Sequence, residues 1–284
     1  MLMQAEERRP GPRVLVIRPR AGWIAINWRE LWEARELLYF LILRDVKVRY
    51  KQTALGAAWA VIQPFATMIV FTLFLGRIAG MSSEGVPYPL FVFTALLPWT
   101  FFANAIGAAS QSLIVSPNLV TKVYFPRVII PMGTVTAALV DFAVAVVMLL
   151  GMMMFYDVDA GWHLLLVPCV MLALVVAAIG VGTLLAALTV AYRDIRQAIP
   201  FMVQLWMFAT PTIYMDAAHI VSPRWLPWLP LNPAYGLIAN FRAAALGLPL
   251  DLYALAVSTC VGVLLLLAGC LYFRRVERSF ADII

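Results

Sequence analysis

From residue 54 onward, long apolar runs alternate with short polar breaks. A helix needs about 20 apolar residues to cross a hydrocarbon core. Six runs meet or approach this: 54–74, 89–109, 128–155, 164–190, 198–214 and 252–273. The third contains one acid, Asp141, and the fifth is short and bracketed by Pro200 and Pro211. The stretch from Leu226 to Leu248 is also apolar but carries Pro227, Pro230, Pro233 and Arg242. Broken backbone at membrane depth has to be sheltered by protein, so a re-entrant or interfacial hairpin is expected there, between the fifth and sixth spans. The pattern predicts an all-α integral membrane protein with six transmembrane helices.

Residues 28–53 follow a different rule. Arg29, Glu33, Glu36, Arg44, Lys47 and Lys51 recur at helical steps on one face, interrupted by Phe40, with Trp28, Leu31, Leu38, Leu41 and Ile42 opposite. This predicts an amphipathic helix with a basic end, suited to the cytoplasmic interface. It serves either as a plain anchor or as a moving element that docks a partner. Residues 1–27 carry five arginines in the first 22 positions and no continuous apolar core before a small-residue cleavage site. They are expected to be a cytosolic tail rather than a signal peptide. Residues 274–284 are expected to form a second cytosolic tail.

Composition sharpens the class. The 284 residues are 63% hydrophobic and 13% charged, whereas a soluble domain is about half apolar and a quarter charged. A soluble enzyme, a nucleic-acid-binding domain and a disordered protein are excluded. The net charge of +6 acts first as a topology signal. Eighteen of the 21 basic residues fall in the N-terminal segment, the loops after the second and fourth spans, and the C-terminal tail. Arg77, Arg224 and Arg242 make up the other side. Both termini are therefore expected in the cytoplasm, and a seventh span would break the rule.

The usual chemistry is missing. No GxxxxGK[ST] phosphate loop, GxSxG elbow or HExxH helix occurs. Cys169, Cys260 and Cys270 lie singly in apolar runs, and His163 and His219 are far apart, so no metal site is expected. Asp141 is the one clear intramembrane acid. It is either a proton or cation site or a structural residue paired inside the bundle; a lone acid argues against a coupled pump.

Two loops stand out. Ser116-Pro117-Asn118 opens a short helix with an early proline, Leu119, Val120, Val123, Tyr124 and Phe125 supply apolar contacts, and Pro126 ends it. Exposed apolar residues on a cytosolic loop need a cover. The second loop, AYRDIRQ over 191–197, is compact and charged. The ordered stretches LRDVKVRYKQTALGAAWAVIQP, NLVTKVYFPRVIIP, YRDI and LNPAYGLIANFR resemble the permease subunit of type-2 ABC polysaccharide exporters, the family that moves O-antigen, capsular polysaccharide or teichoic acid. The resemblance covers about residues 25–280. The N-terminal lead, 14–42, looks closest to O-antigen exporters of lipid-linked glycans.

The resemblance implies two permeases in the inner membrane with two separate ATPase subunits, which would bind the ATP and Mg; this chain would hold no cofactor of its own. It implies that Asn118, Leu119, Val120, Lys122, Tyr124, Phe125, Pro126, Arg127, Arg193 and Asp194 couple to the ATPase. Arg44, Lys47, Arg49 and Lys51 would lie beside the coupling helix, where cations suit a pyrophosphate-linked lipid head. Trp59, Phe65, Phe71, Trp99 and Tyr214 are the expected channel lining, since sugar CH faces stack on aromatic rings. Pro211, Asn232 and Pro233 match the family's periplasmic gate, which the resemblance implies is built of short re-entrant periplasmic helices between the fifth and sixth spans. The alternatives are a type-2 permease for a drug or small lipid, or a membrane-embedded glycan- or lipid-modifying enzyme.

Overall fold

The structure, a computed structural model, describes residues 28–51, 58–78, 85–122, 125–159, 161–192, 194–213, 221–277 and 280. It is all helical, with no strand among the described residues. Ten α-helices follow in order: α1 Trp28–Glu33, α2 Arg35–Tyr50, α3 Trp59–Phe71, α4 Tyr88–Val115, α5 Pro117–Lys122, α6 Ile129–Phe155, α7 Val167–Ala191, α8 Ile195–Phe208, α9 Pro233–Leu246 and α10 Leu252–Val276. A π-helical stretch, Thr72–Ile78, extends α3, and a 3₁₀ turn, Gly161–Leu166, leads into α7. Five helical runs among the described residues are long and apolar enough to cross a membrane.

α4 is the central helix, packing against α6, α7 and α9, with α3 and α8 on its outer side. In the most apolar stretch of α4, 78% of residues are buried, against 11% for the run from α3 into its π-helical extension. α4 also runs to Val115, past the expected end at Ala109. The polar residues that interrupt the apolar run there do not stop the helix: Ser110 and Ser112 donate their hydroxyls back to the carbonyls of Gly107 and Ala109. Satisfied this way, a serine is tolerated inside an apolar bundle.

α7 and α10 make the closest pair. A Cβ on Gly180 would sit 2.4 Å from the backbone nitrogen of Leu266, and one on Gly269 would sit 2.5 Å from the Gly180 carbonyl oxygen. Only hydrogen side chains allow the two backbones to approach this far, the small-residue packing that drives helix association in lipid.

α8 departs from the expected span over 198–214. It has 14 residues, about 21 Å at the α-helical rise, less than the roughly 30 Å of a bilayer core. A short 3₁₀ turn, Pro211–Ile213, follows after Thr210. The proline-rich outer stretch folds as a 3₁₀ turn, Leu226–Leu231, followed by α9. α9 has nearly all its residues buried and, at 14 residues, is likewise too short to cross alone. Gly247, at φ +70°, ends it in the left-handed conformation that a glycine adopts without strain.

Candidate functional site

At one end of the bundle, α5 begins with Pro117 in its first turn, and the Ser116 carbonyl accepts from the N–H groups of Leu119 and Val120. The described apolar residues of this turn, Leu119, Val120 and Phe125, are not left exposed as the sequence suggested, and Val123 lies outside the described residues. Val120 is 1% exposed, and Leu119 and Phe125 pack against the same cluster, which includes Leu41, Leu113, Ile129, Val190 and Phe273. The covering surface is this chain's own, and among the described side chains of α5 Pro117 and Asn118 face outward. Of Lys122 only the backbone is described, and Tyr124 and Arg193 lie outside the described residues. Asp194 is exposed just before α8, with no side-chain capping bond.

The end of α10 belongs to this surface. The Arg127 N–H donates to Glu277 Oε1 at 3.0 Å, and its guanidinium donates to the Glu277 carbonyl. Burial pushes the Glu277 carboxyl above its ordinary 4.5, while the Arg127 hydrogen bond, Arg127 and Arg274 pull it down and Glu30 pushes it up. Glu30 of α1 lies 3.7 Å from the Arg274 guanidinium. Phe280 is fully buried against Phe273, edge to face at 5.2 Å. Arg274, Val276, Glu277 and Phe280 are therefore fastened to the bundle.

α2 follows α6 in the same direction. Leu38, Leu41 and Ile42 lie over Gly133. Farther along, Thr134 donates to Asp45 at 2.9 Å, and at the end of α2 Arg49 and Tyr50 both donate to Asp141. Asp141 stands about 18 Å along α6 from its start. The inward face of α2 is thus apolar in its first half and carries a carboxylate and a guanidinium in its second. Among the four expected entry cations, Arg44 pairs with Asp45 and Arg49 with Asp141, while Lys47 and Lys51 are exposed. An acid inside an apolar helix is costly unless paired, and the partner here comes from 92 positions away.

Arg49, Tyr50 and Asp141 line a cavity of about 260 Å³, together with Trp59, Gln63, Thr100 and Asn104 among others. Trp59 stands at its mouth, 56% exposed. Phe65 also faces outward, Phe71 is half buried against the core, and Tyr214 lies outside the described residues. Trp99, expected on the channel wall, is 4% exposed and packs beside Phe102 inside the protomer. Tyr50, Gln63, Asn104 and Glu277 were not singled out from sequence. The signal for Gln63 and Asn104 was present, as amides inside otherwise apolar runs.

At the opposite end, Asn232 caps α9: its Oδ1 accepts from the Ala234 N–H at 3.1 Å and from Trp206 Nε1 at 2.8 Å. Its Nδ2 donates to Thr210 Oγ1 at 2.9 Å. One amide thereby ties the end of α8 to the start of α9. Pro233 occupies the first turn of α9, where a missing N–H costs nothing. Pro211 opens the 3₁₀ turn that the buried Arg242 grips: its guanidinium donates to the Thr212 carbonyl at 2.7 Å and lies 3.9 Å over the Phe91 ring. No group of three or more candidate metal ligands occurs among the described residues.

A family model for the ABC-2 type transporter matches residues 36–246, which takes in α2 to α9. The chain belongs to the ABC-2 type transporter family. It is a multi-pass membrane protein with a transport role. Among its relatives, the O-antigen export system permease protein RfbA of Myxococcus xanthus is 31% identical over 89% of this chain and 97% of that protein. A protein of the same name from Klebsiella pneumoniae is 24% identical over 88% of this chain and 95% of that protein. The polysialic acid transport protein KpsM of Escherichia coli is 21% identical over 72% of this chain and 80% of that protein. As an ABC-2 member, the chain carries α5 and the α2–α6 polar contact inside the matched region.

Proposed function

We propose that this chain is the channel-forming permease subunit of an ATP-driven exporter, moving a lipid-linked polysaccharide of the O-antigen kind outward across the bacterial inner membrane. Two copies would work with two separate ATPase subunits, which bind ATP and Mg. The α5 end faces the cytoplasm together with both termini, and α8 with its 3₁₀ turn completes six crossings. The observation that carries the reading is the similarity to the Myxococcus xanthus O-antigen export permease over 97% of that protein's length. The bundle supplies physical support. α3 carries the Gln63 amide on an outward face, and such a group is costly against hydrocarbon, so this face suits a partner or a water-filled path. On this reading Asn118 meets the ATPase, α2 carries the push to α6 through Asp141, and the Asn232 knot steadies the periplasmic gate. The test is deletion of the gene in its native host. Surface polysaccharide should disappear, its lipid-linked form should accumulate inside, and a tagged copy should bring down an ATPase. Unchanged surface polysaccharide would overturn the reading.

A further inference from the structure

The recess between α2, α3, α4 and α6 combines features that a single sugar ring requires. Its volume of about 260 Å³ is many times the roughly 10–15 Å³ that a single water needs, which leaves room for a six-membered ring with its hydroxyls. The Trp59 indole stands at the mouth and is more than half exposed, offering a flat apolar surface to the CH face of a pyranose. Gln63 and Asn104 are exposed at the same opening, and their carboxamides make no hydrogen bond among the described residues. Each can both give and accept, which is what neighbouring hydroxyls on a ring need. Both sit on membrane-spanning helices, where an amide facing hydrocarbon is expensive. Their opening therefore faces water or a polar ligand.

The charge balance selects among polar ligands. Among the described residues that line the recess Arg49 is the one cation, and the Asp141 carboxylate already compensates it. The pair is neutral as a unit, and Asp141 would repel a phosphate entering beside it. A neutral polyhydroxyl ligand loses nothing by this arrangement: the guanidinium edge donates to ring oxygens and the carboxylate accepts from hydroxyls. We propose that this recess binds one neutral sugar ring of the transported glycan, stacked on Trp59 and hydrogen-bonded by Gln63, Asn104 and the Arg49–Asp141 pair. The proposal rests on the export reading and adds a defined docking point for a single sugar unit within one protomer.

The experiment uses the purified full chain in lipid nanodiscs and saturation-transfer NMR with millimolar glucose, mannose, galactose, rhamnose and N-acetylglucosamine. Inorganic pyrophosphate is followed in parallel by phosphorus line width. At least one sugar should give transfer signal, falling about fivefold in Asn104→Leu and in Gln63→Leu, the factor that roughly 1 kcal/mol of hydrogen bonding represents. Pyrophosphate should behave alike in all three proteins. If a leucine variant fails to fold, Asn104→Ser and Gln63→Ser read the same contacts. No sugar signal from the wild type, an unchanged signal in the variants, or a pyrophosphate effect that the variants abolish would each overturn the proposal. The deletion strain separates the two ideas. Lost surface glycan without sugar binding removes the recess and leaves export standing. Site-specific sugar binding with intact surface glycan removes export.

Discussion

Asp141 and Glu277 are two acids whose surroundings set opposite requirements. Asp141 accepts from Arg49 and Tyr50, so removing the carboxylate leaves a guanidinium and a phenol without their acceptor. Asp141→Ala should lower stability by about 2 to 3 kcal/mol, the low end for such pairs because both side chains stay partly exposed. Combining Arg49→Met with Asp141→Leu should recover most of that loss. Melting of the wild type, Arg49→Met, Asp141→Leu and the double variant in detergent checks it, and a double-variant loss equal to the sum of the two single losses would show that the pair is not coupled. Glu277 has a raised carboxyl pKa because it is buried. The protonated form is favoured in the fold, so its contribution is full below the ordinary 4.5 and is lost as pH climbs through the raised value. Glu277→Gln keeps an oxygen for the Arg127 N–H and carries no charge. The variant and the wild type should therefore melt together well below pH 4.5, and the variant should gain as pH rises through and above it until the difference levels off. A difference that is flat with pH would contradict the burial argument. The sequence showed Asp141 clearly, as an acid inside an apolar run. It hid the partner, because Arg49 belongs to a segment that composition assigns to the interface, and nothing local ties positions 49 and 141. Trp99 misled for the same reason: an indole on a span reads alike whether it faces a channel or the Phe102 ring.

At the scale of elements, periodicity and length located the long helices because lipid imposes a nearly uniform requirement on each. The third expected span, 128–155, differs from α6 by one residue at its start. The signal failed where protein replaces lipid as the solvent. α4 outran its apolar stretch because its serines bond backward, and α8 ends early at Phe208. α5 is the instructive case. Its position and its opening proline were legible, but its inward and outward faces were not, because a six-residue helix is too short for a pattern to assign a face. Leu119 and Phe125, natural choices for a coupling test, are packed against the protomer's own core, so charged substitutions there would confuse misfolding with uncoupling. Asn118 is the clean probe. Asn118→Arg should leave melting within about 0.5 kcal/mol of the wild type, as surface changes do, and should reduce both ATPase co-purification and surface glycan. Val120→Asp places a charge in a 1%-exposed site and should cost several kcal/mol. An Asn118→Arg protein that retains its ATPase and exports normally would move the coupling contact away from α5.

Across the whole molecule, burial is uneven in a way that lipid alone does not explain. α4 is enclosed, and α6, α7 and α10 show lipid the apolar sides their composition suits. α3 and its π-helical extension show much of their length outward, including Trp59, Ile62, Phe65, Ile69, Val70 and Phe74, yet mix these with the Gln63 amide. α8 continues the same side with Phe201, Met202, Leu205 and Phe208. The two helices share an apolar groove of about 240 Å³ between Val70, Phe71, Phe74, Leu75 and Phe208. A face that mixes amides with large apolar side chains suits neither water nor hydrocarbon throughout, and a second copy of the same chain would cover its apolar part while leaving the polar part to a path between the copies. The prediction is spatial. With Cys169, Cys260 and Cys270 replaced by alanine, single cysteines at Ile62, Ile69 or Leu205 should cross-link two chains in native membranes, and cysteines at Leu172 of α7 or Leu264 of α10 should not, although both positions are exposed. Denaturing gels read the outcome as a band near twice 31.5 kDa. Cross-linking spread equally over α3, α7, α8 and α10 would indicate random collision in the membrane, and dimers formed only through α7 and α10 would put the path on the other side of the bundle and separate it from the Trp59 recess.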